Sequence, residues 1–144
     1  MNFTSATSYE FNVTETYSNG TISGKYFFAA AKLGTPNAEY KMVIEQRNTN
    51  TTIWIVNGNK AWECNGGTWD SNVTVNYYLV SSLCTQNAGS WTDWMTNPPY
   101  GVNPYNGSES FTSSMENGGT AKFTNIQVNT LLPDSLFVGK YGNG

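Results

Sequence analysis

Along residues 9–69, apolar and polar positions alternate in short runs divided by asparagine-rich turns. Tyr9, Phe11, Val13, Glu15 and Tyr17 share one side of a period-two pattern, and Glu10, Asn12, Thr14, Thr16 and Ser18 the other. That predicts a half-buried strand over 8–18. Asn19-Gly20 follows, and both residues tolerate positive φ, so a tight hairpin is expected. The return strand, 22–30, sets Ile22, Gly24, Tyr26, Phe28 and Ala30 against Ser23, Lys25, Phe27 and Ala29. Gly34 and Pro36 then make 31–38 a loop. A third strand over 39–47 turns Tyr40, Met42 and Ile44 to the core and Lys41 and Glu45 to water. Strands 51–56 and 60–64 flank Asn57-Gly58-Asn59, and Asn65-Gly66-Gly67 leads to Trp69. Within 51–56, Ile53 and Ile55 oppose Trp54 and Val56. Both faces are apolar there, so both need a cover, or one is a binding surface.

The middle of the chain changes period. Val75, Leu79 and Leu83 form one stripe with Val80 and Cys84 beside it, which predicts a helix over 75–84. Ser90 to Met95 reads as one more helical turn, with Ser90 as N-cap and Asp93 completing a capping pair. Asn97-Pro98-Pro99 stops it. Strands return at 108–115, 121–129 and 136–138, with a turn at Asn117-Gly118-Gly119. The Phe123, Ile126, Val128 spacing implies a bulge near Thr124-Asn125. Strands, then helix, then strands give a fold class of α+β, mostly β: one domain over 1–144, a large curved antiparallel sheet with one or two short helices on its concave face.

Composition narrows the function classes. In a chain of 144 residues, charged residues are only 12%, about half the usual share, and aromatics are 15%. The seven Lys and Arg residues are scattered and the formal charge is −3, so no duplex nucleic acid is expected as partner. No apolar run approaches the ~20 residues of a transmembrane helix. Met1-Asn2-Phe3-Thr4-Ser5 lacks a basic and then apolar leader, so an exported form would be the mature part. The chain has no histidine, which removes histidine-based triads and most zinc sites. Asp70, Asp93 and Asp134 are isolated in sequence, so no metal site, cofactor or catalytic residue is expected. Glu15 stands on the apolar side of the first strand; a place at the sheet rim, with its carboxylate reaching water, accounts for it.

Two cysteines, Cys64 and Cys84, predict a single disulfide in an oxidising compartment, against the alternative of two buried thiols. Such a bridge would contribute about 3 kcal/mol. Sequons at Asn2, Asn12, Asn19, Asn50, Asn72 and Asn106 are compatible with a glycosylated surface protein, although Asn, Ser and Thr are so abundant that several arise by chance. The aromatic residues have two readings. They are the core of a small β protein, or they line a groove for an apolar or sugar ligand.

The hairpin Ile53-Trp54-Ile55-Val56-Asn57-Gly58-Asn59-Lys60-Ala61-Trp62-Glu63-Cys64, the Trp-ending Asn65-Gly66-Gly67-Thr68-Trp69, and the closing Leu132-Pro133-Asp134-Ser135-Leu136-Phe137 carry a resemblance. They resemble segments of the LolA-like lipoprotein carriers, including the LppX-type surface lipoproteins. The resemblance implies an open half-barrel with helices plugging its concave side, and carriage of an acyl chain or other apolar small molecule in the cavity between. On that reading the ligand-binding residues are Tyr26, Phe28, Met42, Trp54, Trp62, Leu79, Leu83, Trp91, Trp94 and Met95. Supply points the same way: five or more strands present apolar residues, and two short helical turns are too few to cover them, which leaves a cavity or a patch. The expected protein is an exported, non-enzymatic lipid-binding domain, extracellular or on the cell surface, or periplasmic in a bacterium. Two rivals stand beside it: a structural surface or filament subunit that self-associates through sheet edges, and a carbohydrate-binding module with exposed aromatic platforms.

Overall fold

A computed structural model describes residues 3–70, 73–115 and 118–140. Asn2, Asn72, Asn117 and the Val75 side chain lie outside the described residues. The strands are β1 (Tyr9–Thr16), β2 (Ile22–Ala31), β3 (Glu39–Gln46), β4 (Thr52–Asn57), β5 (Lys60–Asn65), β6 (Thr68–Trp69), β7 (Phe111–Ser114) and β8 (Thr120–Val128). A single helix, α1 (Val73–Thr96), separates β6 from β7. The fold is α+β and mostly β. Its strands form one open antiparallel sheet in the order β6-β5-β4-β3-β2-β1-β8-β7. The first six strands are a meander. The chain then crosses one face as α1 and returns to add β8 against β1.

Local chemistry sets the register. Gly20 has φ +87°, its N–H reaches the Tyr17 carbonyl at 2.9 Å, and the Asn19 side chain accepts from the Thr21 N–H at 2.9 Å. The expected Asn-Gly hairpin therefore closes β1 on β2. On the other side of β1, Glu10 faces Gln127 and Asn12 faces Thr124, so two residues of β8 oppose Phe11 alone. Asn125 takes φ +52° there. This is the bulge that the Phe123–Ile126–Val128 spacing implied, and it brings both Phe123 and Ile126 to the core.

One face of the sheet carries the helix. Phe11, Val13, Phe28, Met42, Val56, Ala61, Ala121 and Phe123 are buried on it, with Tyr26, Tyr40, Ile44 and Trp54 half-buried beside them. Glu10, Asn12, Thr14, Lys25, Lys41 and Glu45 take the other face, as the alternation requires, and of these Lys25 and Glu45 are exposed and the others half-buried. The Phe11 ring lies 5.5 Å from Phe28 and 5.8 Å from Phe123, so three adjacent strands meet in one aromatic cluster.

The helix differs from expectation. One continuous element of 24 residues, about 36 Å long, replaces the expected one or two short helices. It packs on β5, β4 and β3 and then reaches β2 and β8, where the Trp91 ring sits 5.4 Å from Tyr26 and 5.7 Å from Phe123. Along its polar middle, side chains satisfy themselves on the helix's own carbonyls four residues back: Thr85 to Ser81, Asn87 to Leu83, Ser90 to Gln86, Thr92 to Ala88. Ser90 therefore does not cap a second helix. The buried stripe is Val80, Cys84, Ala88 and Met95. It is turned by one residue from the predicted one, and Leu79 is 57% exposed instead of facing the sheet. The helix stops just before Pro98-Pro99.

The opposite face has its own cover. Residues 130–140 cross it as a strap, with Leu132 and Phe137 buried against Ala29, Ile55 and Trp62. The Asn57 side chain donates to the Phe137 carbonyl at 3.1 Å, and the Ser8 hydroxyl to the Thr130 carbonyl at 2.6 Å. A strand was expected over 136–138. Instead Asp134–Phe137 is a 3-10 turn, because the strap runs over a sheet face, where no backbone partner exists. Under it, Glu39 is 2% exposed and its carboxylate meets Lys32 Nζ at 2.7 Å.

Two substitutions test this layering. Phe28→Ala should cost about 3 kcal/mol or more, because the ring is buried on the helix side. A Cβ at Gly139 would stand 2.5 Å from Trp62 and 2.8 Å from Trp69. Gly139→Ala should therefore lower stability by about 1–3 kcal/mol, read as a lower urea midpoint at unchanged slope. An unaltered midpoint would mean that the strap does not rest on Trp62.

Candidate functional site

The residues expected to line an apolar cavity are mostly packed solid. Phe28, Met42 and Met95 are fully buried between helix and sheet. Trp54, Leu83, Trp91 and Trp94 are half-buried against the same cluster. Trp54 Nε1 donates to the Glu63 carboxylate at 3.0 Å, which fixes its ring at the sheet surface. Trp62 is on the other face, under the strap. Leu79 points to water. Tyr26 is at the rim of the sheet, near Glu15 and Gln46. The structure thus brings Tyr26, Phe28, Trp91 and Trp94 together as core, and it separates Leu79 and Trp62 from them.

Open space lies instead at one end of the helix. A cleft of about 620 Å³ is bounded by the N-terminal segment, the β2–β3 loop and the last two turns of α1. Its floor is Phe3, Ala6 and Tyr9, all buried, with the Phe3 and Tyr9 rings edge to face at 5.7 Å. Leu33 and Gly34 form one wall, and the Leu33 N–H is held by the Thr7 carbonyl at 3.0 Å. Gly89, Thr92, Asp93, Thr96 and Asn97 form the other. The hydroxyls of Thr92 and Thr96 are bonded to helix carbonyls, at 2.9 Å in each case, so their methyl groups are the parts left to face a ligand. Asp93 accepts from the Asn97 amide at 3.0 Å and is the one charged side chain among the described lining residues. Burial, with Tyr40 nearby, holds the Tyr9 hydroxyl protonated well above its ordinary range. The volume falls within the roughly 300–1,000 Å³ of small-molecule sites.

Two signals for this cleft were present in the chain. Leu33 is the one large apolar residue of the 31–38 loop, and Gly89 is a glycine inside a helix. A Cβ at Gly89 would meet nothing within 4 Å. The contribution of Phe3 could not be read from periodicity, because it depends on a short 3-10 turn, Phe3–Ser5, folding back onto Tyr9 and Tyr105.

The cysteines correct another expectation. Cys64 and Cys84 are both free and both buried. Cys64 pairs with Ile53 and Trp69, which places it on the strap face, whereas Cys84 lies in the helix-side core. The sheet separates the two sulfurs. Among the sequons, Asn19, Asn50 and Asn106 are in exposed turns, while Asn12 is half-buried in β1, an interior strand of the sheet. No helix among the described residues is long and apolar enough to cross a membrane. No protein-family model matches the chain, and no curated protein matches it.

Burial pushes the Cys84 thiol up to about 12. Above about pH 9 the unfolded thiol ionises and the folded one does not, so the folded chain binds more protons and stability falls as pH rises toward 12. Tyr9, Tyr26, Tyr40 and Tyr105 are raised mainly by burial too and act in the same direction. Two measurements check this. Denatured protein without reductant should take up two equivalents of iodoacetamide, and Cys84→Ala should flatten the loss of stability between pH 9 and 12. A single mass species without alkylation would restore the disulfide.

Proposed function

We propose that this chain is an exported binding domain that holds an apolar small molecule with an uncharged head group in the cleft between the N-terminal segment and the end of α1. The observation that carries the reading is the chemistry of that lining. Apolar Phe3, Ala6, Tyr9 and Leu33 lie beneath a polar rim of Asp93 and Asn97. Among the described residues no lysine or arginine is in the lining, and its one carboxylate would repel a fatty-acid anion. A neutral-headed lipid such as a monoacylglycerol suits both parts. The likeness of the 53–64 hairpin and the closing Leu132-Pro133 segment to lipoprotein carriers supports carriage of a lipid, with the site moved from the sheet interior to the end of the helix. Export is supported by the low charge and the abundance of Asn, Ser and Thr.

The two rival readings draw less support. Pairing through sheet edges needs a long edge strand, and the edges here are β6 with two residues and β7 with four. A flat surface platform that grips sugars by stacking alone needs coplanar aromatics. The exposed Tyr17, Tyr78 and Tyr100 stand on a hairpin, a helix and a loop.

Nile red, a neutral apolar probe, should brighten on binding, and monoacylglycerol should displace it more readily than a fatty acid does. Gly89→Leu places a side chain in the cleft and removes a helix-interior glycine, so it should keep or raise the melting temperature. It should weaken probe binding by tenfold or more, about 1.4 kcal/mol. Absence of any brightening at ~100 μM protein, or equal binding by the variant, would sink the proposal.

A further inference from the structure

At the opposite end of β1 from the cleft, about 20 Å away along the strand, a second recess has a different chemistry. It measures about 370 Å³ and is lined by Glu15, Thr16, Tyr17, Ser23, Tyr26, Gln46, Arg47, Thr49 and Met115. Three of these are organised around one another. The Tyr26 hydroxyl accepts from the Gln46 amide at 3.5 Å, and the Glu15 carboxylate lies on the same recess. The ring can lie this way because the neighbouring strand position has no side chain. A Cβ at Gly24 would stand 2.8 Å from the Tyr26 hydroxyl and 3.1 Å from its Cζ. Gly24 lies directly across from Glu15 in the β1–β2 register, so its vacancy is what lets the ring lie over toward the carboxylate. The ring itself is held from behind by Trp91, at 5.4 Å. Burial and the nearby Glu15 carboxylate push the Tyr26 hydroxyl up to about 12, so it remains protonated at neutral pH.

The remaining groups are the Arg47 guanidinium and the ring of Tyr17, 42% exposed on the β1–β2 turn. The recess therefore offers an acceptor, a multiple donor and an aromatic face. Among the described residues, one negative and one positive group line it together, so a ligand of either net charge is opposed by one of them. Neighbouring hydroxyls on a ring are different: each can donate to a carboxylate and accept from a guanidinium, and the ring's C–H face can lie on an aromatic side chain. We infer that this recess is a binding site for a pyranose sugar unit, separate from the apolar cleft, with Glu15 and Arg47 holding adjacent hydroxyls and the Tyr26 hydroxyl lining the site beside them.

Saturation-transfer NMR with the methyl glycosides of glucose, galactose and mannose, each at about 20 mM, tests the assignment on the full chain. At least one glycoside should show transfer. Arg47→Ala should weaken it about fivefold or more. Tyr26→Phe, which removes one oxygen and keeps the ring on Trp91, should do the same with little change in melting temperature. Gly89→Leu, at the other end of β1, should leave sugar binding unaltered, so loss of the lipid reading would not disturb this one. Three outcomes would overturn the proposal: no transfer from any glycoside, binding that Arg47→Ala leaves unchanged, or displacement of the sugars by glycine, which would make the recess a site for a zwitterion.

Discussion

The structure depends on β4 being apolar on both faces. Trp54 and Val56 point one way and Ile53 and Ile55 the other. An antiparallel sheet with one wet face would need only the helix. Here a second cover is obligatory, and the chain supplies it with its last eleven described residues. The result is three layers: helix, sheet and strap. The strap makes no strand pairing, so it is held by Leu132 and Phe137 and by single hydrogen bonds from Ser8 and Asn57. The buried Glu39–Lys32 pair beneath it is tolerable because the ammonium lies 2.7 Å from the carboxylate and keeps much of its own surface in water.

The same layering explains where the candidate site is. The sheet offers a broad apolar face, and two short helical turns would have left much of it open. A helix of 24 residues does not. Trp91 reaches Tyr26 and Phe123 from the far half of that helix, and Met95 is fully buried beyond it. The unfilled volume is thereby displaced to the helix end, where Gly89 gives no side chain and the chain leaves through Asn97-Pro98-Pro99. The aromatic inventory that suggested a lined groove is spent on packing. The residues that line open space are a mixture of small, threonine and single apolar side chains, which carry little signal one by one.

What was legible in the chain is what short-range physics determines. Period two located β1 to β5, Asn19-Gly20 located a hairpin, and an irregular spacing near Asn125 located a bulge. What was not legible depends on long-range pairing. Nothing in the β8 sequence says that it pairs with β1, and the helix's polar middle reads as a break unless its side chains are known to bond the preceding turn. The strap is not legible because Leu136-Phe137-Val138 has strand composition, while its role is to cross a face that β2, β4 and β5 build.

The cysteines show how tightly these levels are tied. Asn57 faces Lys60 in the β4–β5 hairpin, which puts Ala61 under the helix and Trp62 under the strap. Bringing Cys64 to the helix side, where Cys84 is, would take a one-residue slip of β5. That slip would drive the Trp62 indole into the space where Ala61, fully buried, lets the helix approach. It would also bring the Glu63 carboxylate beneath the strap, against Ile55, Leu132 and Phe137. The cost on both faces, an overpacked helix side and a buried carboxylate beneath the strap, is of the order of several kcal/mol. A disulfide of this loop length would return about 3 kcal/mol. Packing therefore decides the register, and the two thiols stay on opposite sides of the sheet as its consequence.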